Sequence, residues 1–365
     1  MDVDFKALAA ALKETIKTYR HLLIYIKGSP DPDAIAASYV LKLICEHYGT
    51  KATIDSPVHP SLPQNMKMIK DLHLPVQFET PDNDGNHYDA YAVLDYQSVT
   101  VKGLTGVIPC AVHIDHHDPV DEKIPVDLKI VMEEVGSTST IMIFLMKELA
   151  LELNLNRELR IRTATALYYG IQTDTDDFQH AEDLDNEALK IISSDCDRKL
   201  LHRLTSLPYS RESMKFFNQA LQNQVVYKDW LISGIGFVDE KYRDAVAIIG
   251  DFLLRREDIS TAVIFFILET KKGLTLNVSF RTKKEKFNMN ALIKRITSEG
   301  GARKFKGAYQ VNLDYFTNCP DKDILWNVVY MTTIEALKKQ RDTYGVEEVK
   351  DYFRKLQGKL LDLFR

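Results

Sequence analysis

The chain has few cysteines and no long hydrophobic run. It contains 4 cysteines among 365 residues, widely spaced and without a CxxC pair. This pattern excludes a disulfide-rich secreted scaffold and is typical of reduced thiols in the cytoplasm. The apolar stretch at the N-terminus is too short for a signal peptide or a membrane span. We therefore expect a cytoplasmic protein with no membrane association.

The chain also lacks an excess of positive charge. Its formal net charge is −5, from 47 Lys and Arg against 52 Asp and Glu. This balance argues against non-specific nucleic-acid binding driven by bulk charge, and it leaves room for a local basic site. The sequence has neither an internal repeat nor a low-complexity segment, and its length suffices for two domains.

In the first half of the chain, short apolar runs alternate with amphipathic stretches. Strands separated by helices in this way predict a mostly parallel, doubly wound α/β sheet. The predicted strands are 21–26, 51–56, 76–79, 88–95 and 107–115, with 128–134 as a possible sixth, and the helices are 4–18, 34–49, 63–74, 137–153, 156–172 and 183–195.

The second half predicts a smaller α/β domain. The expected organisation is a first domain over 1–202, a helical linker over 203–229, the smaller domain over 230–320 and a helical tail over 321–365. The sequence predicts two helices in the tail, about 322–341 and 346–365. Its apolar face either docks onto the chain's own body or forms a dimer surface, so a homodimer is possible.

Carboxylates and histidines stand where several apolar segments end. Asp31 and Asp33 follow the first strand, Asp95 ends the fourth, and His116 and His117 end the fifth; Asp115 precedes the histidines, and Asp174 closes a helix. Ligands of open α/β sheets bind at the carboxyl ends of the strands. Buried carboxylates at one edge would repel one another without cations, so the set predicts a site for one or two Mn²⁺ or Mg²⁺ ions.

Each member of this set also has a simpler explanation when taken alone. Asp31 or Asp33 can cap the helix that starts near Ala34, a histidine pair is commonly structural, and Asp174 can belong to a polar turn. The ordered arrangement, in which every member closes an apolar segment, favours the metal site.

The ordered set resembles the DHH phosphoesterase superfamily, of the RecJ-like and nanoRNA-pAp phosphatase type. The residues that carry the resemblance are PDPDAIAAS (30–38), Asp95, IDHH (114–117), STST (137–140) and GIQTDT (170–175). The second half is similar to the DHH-associated C-terminal domain through VSFRT (278–282) and GGARKFKGA (300–308).

The resemblance implies roles for individual residues. Asp31 and Asp95 would ligate a first ion, and Asp33, Asp95, His116 and Asp174 a second, with Asp95 bridging. His117 would contact the substrate phosphate or orient the attacking hydroxide. In the C-terminal domain, the implied substrate-binding residues are Arg281, Gly300, Gly301, Arg303 and Lys304.

Two positions depart from the family pattern. Lys27 stands where active relatives have a metal-ligating histidine, and Ala302 stands at the histidine of the glycine-rich loop. Lysine ligates metals only when neutral, so a charged Lys27 would act in catalysis by replacing part of a cation's charge or by contacting phosphate.

The resemblance implies a metal-dependent hydrolase of phosphodiester or phosphomonoester bonds in short nucleotides, such as oligoribonucleotides, pAp or linear dinucleotides, acting by metal-activated hydroxide. The alternative is a catalytically weakened nucleotide-binding regulator or sensor with an incomplete metal site. Pyrophosphatase and long-nucleic-acid exonuclease activities are less expected.

Overall fold

The computed structural model describes residues 3–60, 62–78, 87–118, 123–206, 210–270, 273–285, 287–297, 299–302 and 305–363. The chain divides into two compact units, Met1–Pro208 and Tyr209–Arg365. In the described residues, no helix combines the length and the apolarity needed to cross a membrane.

The first unit alternates strands and helices as predicted. It contains α1 (Phe5–Lys17), β1 (His21–Tyr25), α2 (Pro32–His47), β2 (Lys51–Asp55), α3 (Pro63–Asp71), β3 (Val76–Gln77), β4 (Ala90–Leu94), β5 (Cys110–Asp115), β6 (Val126–Val131), α4 (Thr138–Glu148), α5 (Arg157–Asp174), α6 (Asp183–Ile192) and α7 (Arg198–Thr205).

The strands of this unit form a six-stranded sheet in the order β3-β2-β1-β4-β5-β6. All the strand pairings that the structure describes in this sheet are parallel. The chain winds outward from β1 to β3 and then returns to place β4 on the other side of β1. The strand order therefore reverses between β1 and β4, which is where open α/β sheets bind ligands.

Both faces of the sheet are covered. Alternate residues such as Leu22, Ile24 and Ala92 face the main core, which the helices complete. The intervening residues Leu23 and Tyr91 face a smaller cluster, to which the segment after β4 contributes Val99, Val101 and Leu104. The period of two along the strands thus assigns every second side chain to each layer.

The second unit is a smaller α/β domain, as predicted. Its sheet has the order β11-β12-β10-β9-β8-β7, in which β8 and β9 are parallel. It contains α8 (Arg211–Gln222), β7 (Gln224–Tyr227), β8 (Trp230–Asp239), α9 (Arg243–Leu254), β9 (Thr261–Thr270), β10 (Gly273–Thr282), α10 (Met289–Ile296), β11 (Gly300–Ala302), β12 (Lys306–Asn312) and α11 (Lys322–Leu363).

The structure differs from the prediction in the tail. In place of two helices it has the single helix α11, because Gly345 between the predicted helices costs a helix only about 1 kcal/mol and no proline lies there. Leu325, Val329 and Leu337 of this helix are buried in the core of the second unit. The predicted linker contains the end of α7 in the first unit and α8 and β7 in the second.

Candidate metal centre

The sequence-predicted ligands converge at the point where the strand order reverses. Asp33 lies in the first turn of α2, directly after β1, and Asp95 follows the last residue of β4. His116 and His117 follow β5, and Asp174 is the last residue of α5. The carboxyl ends of neighbouring parallel strands therefore bring Asp33, Asp95, His116 and His117 to one edge of the sheet, and the C-terminus of α5 brings Asp174 to the same place.

Four of these residues form a compact donor set. One ligand atom from each of Asp33, Asp95, His116 and Asp174 lies within 4.8 Å of every other. A second group, Asp95, His116 and His117, meets the same distance limit. Three carboxylates and an imidazole are ligands that suit a divalent cation such as Mn²⁺ or Mg²⁺.

The geometry of His116 supports a metal-binding role. Its Nε2 atom lies 2.8 Å from Asp174 Oδ2 and 3.5 Å from Asp95 Oδ1. Nevertheless this nitrogen is buried and has no well-aligned hydrogen-bond partner among the described residues. Buried polar atoms normally have a partner. His116 Nε2 and the two carboxylate oxygens thus lie close together without the alignment of hydrogen bonds. Ligands of one cation have this arrangement, so the residues present fit a metal ion.

Asp33 is held in place by the start of α4. Its Oδ2 accepts a hydrogen bond from Thr138 N at 2.6 Å, and its Oδ1 accepts one from Ser139 N at 2.8 Å. Helix N-termini expose such N–H groups and favour a negative charge. Thr138 Oγ1 also donates to Asp95 Oδ1 at 3.2 Å. One residue of α4 thus contacts two of the candidate ligands.

The carboxylates of the cluster are difficult to ionise without a cation. Burial, followed by repulsion from Asp95 and Asp174, raises the pKa of Asp33 well above its usual value. Burial and the charge of Asp31 raise the pKa of Asp95 to about 6. Burial alone would lower the pKa of His116, but the carboxylates of Asp174 and Asp95 raise it well above normal. A bound cation would relieve this repulsion and displace the protons.

His117 is oriented by the carboxylate of Asp115, which belongs to the same IDHH motif. Its Nδ1 donates to Asp115 Oδ1 at 2.5 Å, and both residues are buried. Although burial raises the pKa of Asp115, the hydrogen bond from His117 and the nearby imidazoles lower it below its usual value overall. An ionised Asp115 fixes the ring of His117 and directs its Nε2 atom away from Asp115.

The side chains of Asp31 and Lys27 make other contacts than the four clustered residues do. Asp31 caps α2, since its Oδ1 accepts a hydrogen bond from Ala34 N at 2.9 Å, and it lies outside both clusters that the described residues form. Its charge nevertheless acts on Asp95. Lys27 Nζ donates to the segment after β4, at Ser98 O and Thr100 O. Their predicted roles as ligand and catalytic residue stay predictions.

The substrate-binding residues predicted in the second unit lie on its sheet. Arg281, near the end of β10, donates from Nε to Asp251 Oδ1 at 2.7 Å and from Nη1 to Ser279 Oγ at 3.1 Å. Gly300 and Gly301 belong to β11 and pair with β12. A cavity of about 360 Å³ is lined by Ser279 and Gly300, among others. Arg303 and Lys304 lie outside the described residues.

The sequence interpretation missed residues that support the centre. The serines and threonines of 137–140 entered the sequence interpretation with the resemblance; in the structure Ser137 caps α4, and Thr138 and Ser139 hold Asp33. The interpretation gave no role to Asp185, which is fully buried and accepts hydrogen bonds from Gly136 N and Thr140 Oγ1. Both Asp185 contacts join positions about 45 residues apart, so no local pattern reveals them.

Gly170 of α5 permits a close approach of α5 to Asp33. A Cβ atom there would lie 2.5 Å from Ser139 Oγ and 3.2 Å from Asp33 Cα. Helix propensity alone favours Ala over Gly by about 1 kcal/mol. We nevertheless expect Gly170→Ala to lower the free energy of unfolding by about 2 kcal/mol, because overpacking displaces Asp33. Denaturant unfolding of the metal-free protein measures this change.

A second substitution provides the control for Gly170→Ala. Ser139 Oγ is the nearest obstacle and has no hydrogen-bond partner among the described residues. Adding Ser139→Ala should therefore restore part of the lost stability at little cost of its own. A Gly170→Ala protein as stable as the parent would show that the helices separate freely at this point.

The comparisons with known proteins agree with this geometry. Residues 21–171 match the family model described as DHH family, N-terminal domain. This part of the chain, which makes up most of the first unit, is similar to the DHH family. The matched range includes β1 to β6 and all the clustered residues except Asp174, which lies just beyond it. The DHH family comprises metal-dependent phosphoester hydrolases, in agreement with a buried Asp and His cluster that suits a divalent cation.

Individual proteins match most of the length of this chain. It is 32% identical over 331 residues to the uncharacterized protein MJ1633 of Methanocaldococcus jannaschii, covering 90% of this chain and 65% of that relative. An exopolyphosphatase-related protein from Bacteroides fragilis has a TM-score of 0.65 at 17% identity, covering 91% of this chain and 98% of the other, and it shows a shared fold. The exonuclease RecJ bound to manganese has a TM-score of 0.47 at 12% identity, covering 92% and 94%.

Proposed function

We propose that this protein hydrolyses phosphodiester or phosphomonoester bonds of short nucleotides with the help of Mn²⁺ or Mg²⁺. The observation that carries the proposal is the convergence of Asp33, Asp95, His116 and Asp174 at the strand-order reversal of a DHH-family sheet. A cation would offset the charges of these clustered carboxylates, and phosphoester hydrolysis is the chemistry of the family.

The four clustered residues would hold the ion, with Asp31 close enough to affect the charge of Asp95. When bound, a divalent cation supplies Lewis acidity toward water and toward the oxygens of a phosphoryl group. Thr138 and Ser139 keep Asp33 oriented, so the donor set is formed in advance. The protein thereby avoids reorganising its carboxylates when the ion and the substrate bind.

His117 would act on the substrate directly. Because its Nδ1–H group donates to Asp115, the Nε2 atom carries the lone pair of the neutral ring. His117 groups with Asp95 and His116, so its ring can orient the attacking water or contact a phosphate oxygen. Asp115 holds the ring in place for this role.

The second unit would bind substrate through groups of its own. Arg281 presents a guanidinium held by Asp251. At Gly301 a Cβ atom would come no closer than 3.8 Å to its nearest neighbour, Asn290 Oδ1, so a phosphate can approach the strand backbone there, whereas Tyr309 fills the corresponding space at Gly300. The adjacent cavity of about 360 Å³ also includes Asn277 and Arg243 in its lining. Its size and its polar groups suit one nucleoside of a short substrate.

A regulator that binds a nucleotide without hydrolysing it is the second candidate. It is favoured by one observation, the use of Asp31 as a helix cap and of Lys27 as a loop contact at positions where a second ion would need ligands. In this case the protein would bind at most one ion.

Turnover with defined substrates tests the proposal. The purified protein is incubated with Mn²⁺ or Mg²⁺ and with pApA, pAp, a short oligoribonucleotide or polyphosphate, and the released products are measured. We expect at least one nucleotide to be hydrolysed, and a chelator to stop the reaction reversibly. Binding of a nucleotide without turnover would identify the regulator, whereas polyphosphate as the only substrate would contradict the proposed substrate class.

A further inference from the structure

The ammonium of Lys27 is bound by the segment that follows Asp95. Nζ donates to Ser98 O at 2.8 Å, to Ser98 Oγ at 3.1 Å and to Thr100 O at 2.7 Å. The same nitrogen lies 4.5 Å from the ring centroid of Tyr96, a favourable position for a cation. Lys27 follows β1 and the bound segment follows β4, so these contacts join the ends of the two strands between which the sheet order reverses.

The partners of Lys27 suit a charged side chain. An ammonium has three N–H donors and no acceptor, and backbone carbonyls can only accept. Two of the oxygen partners are carbonyls, and the third is the hydroxyl of Ser98. Metal ligation would need the lone pair of a neutral amine, which an ammonium does not have.

Asp95 directly precedes this segment and has an unusual backbone conformation. Its φ of 54° lies in the left-handed region, which is costly for a residue other than glycine and persists only where the surroundings enforce it. On one side, Asp95 N donates to Ile114 O at 2.9 Å. On the other, His113 Nε2 donates to Tyr96 O at 2.9 Å, and Lys27 holds the next turn of the chain.

We propose that Lys27 is a positioning residue for Asp95. By fixing residues 96–100 it holds the Asp95 backbone in its strained conformation and keeps the carboxylate among the other candidate ligands. The inference rests on the proposed function, because it takes Asp95 as a metal ligand. It assigns Lys27 a role different from the catalytic one predicted from the sequence.

Metal affinity of the full-length protein tests this role. Mn²⁺ binding is measured by isothermal titration calorimetry for the parent, for Lys27→Met and for Lys42→Met. Lys42 is a matched control, since its Nζ also donates to a backbone carbonyl, Ala52 O at 2.6 Å, and its side chain is 16% exposed. Both variants lose a partly buried lysine, but Lys42 contacts β2 and not the segment after Asp95.

We expect Lys27→Met to weaken Mn²⁺ binding about tenfold or more, as the loss of a group that orients a ligand does, and Lys42→Met to leave it unchanged. Amide hydrogen exchange at residues 96–101 should become faster in Lys27→Met only. Equal Mn²⁺ affinity in Lys27→Met and the parent would overturn the inference. If Lys27→Met does not fold, Lys27→Gln, which keeps two N–H donors, is measured against the same criterion.

The outcomes separate the inference from the proposed function. A parent protein that binds no Mn²⁺ overturns the proposed function, and the inference with it. A parent that binds Mn²⁺ with the same affinity as Lys27→Met overturns the inference alone. Weaker binding in both lysine variants would mean that general destabilisation lowers the affinity, which also contradicts a specific role for Lys27.

Discussion

Asp95→Asn should abolish Mn²⁺ binding and reduce kcat/KM about 1000-fold or more, because Asp95 belongs to both candidate ligand groups. The same substitution should leave the metal-free protein at least as stable as the parent. Asp95 is buried beside other carboxylates that repel its charge, and an amide of the same shape removes that repulsion. Thermal unfolding with and without Mn²⁺ and steady-state kinetics measure the two effects.

The same substitution at the other end of β4 provides the control for Asp95→Asn. Asp89 precedes β4, and its carboxylate accepts a hydrogen bond from Arg20 N at 2.7 Å. Asp89→Asn should lower the melting temperature slightly and leave both Mn²⁺ binding and activity intact. An Asp95→Asn protein that keeps its Mn²⁺ affinity would mean that the ion binds elsewhere.

The metal-free protein should be more stable near pH 5 than near pH 8. Asp33, Asp95 and His116 all have a folded-state pKa above the value expected in the unfolded chain. The stability that such a group contributes is fully present below its unfolded pKa and is lost as the pH rises through its folded pKa. For Asp95 this window runs from 3.8 to about 6, and the corresponding loss is about 3 kcal/mol.

Mn²⁺ should reverse this pH dependence. The ion binds the deprotonated cluster, so its affinity rises as protons leave His116 and the carboxylates. At saturating Mn²⁺ the protein should be most stable at neutral or slightly alkaline pH. Chemical unfolding at several pH values, with Mn²⁺ or with a chelator, measures both curves. A metal-free protein whose stability rises steadily from pH 5 to pH 8 would contradict the raised pKa values.

The sequence predicts the first sheet well because its signals are local. Each apolar run, such as the one at His21–Tyr25, is short and lies between helical stretches, which is sufficient for a parallel sheet. The placement of Asp33, Asp95 and His116 follows from the same logic, since strand ends meet at one edge, whereas Asp174 reaches the cluster from the end of α5. The strand bounds shift by a few residues; β5, for example, begins after Pro109, which has no N–H group to pair.

The supporting contacts could not be predicted in the same way. The hydrogen bonds from Thr138 and Ser139 to Asp33 connect residues about 105 positions apart, and those from Lys27 to Ser98 and Thr100 cross about 70. They depend on how helices and loops pack in three dimensions, which propensity and periodicity do not encode. Lys27 was identified as unusual from the sequence, but only the structure shows the partners of its ammonium.

The most direct test of the metal centre is an anomalous difference map. Crystals of the protein are grown with Mn²⁺, and diffraction data are collected at the manganese absorption edge. We expect a strong peak within bonding distance of the side chains of Asp33, Asp95, His116 and Asp174. Absence of a peak at these residues in the presence of saturating Mn²⁺, or a peak at another set of side chains, would contradict this expectation.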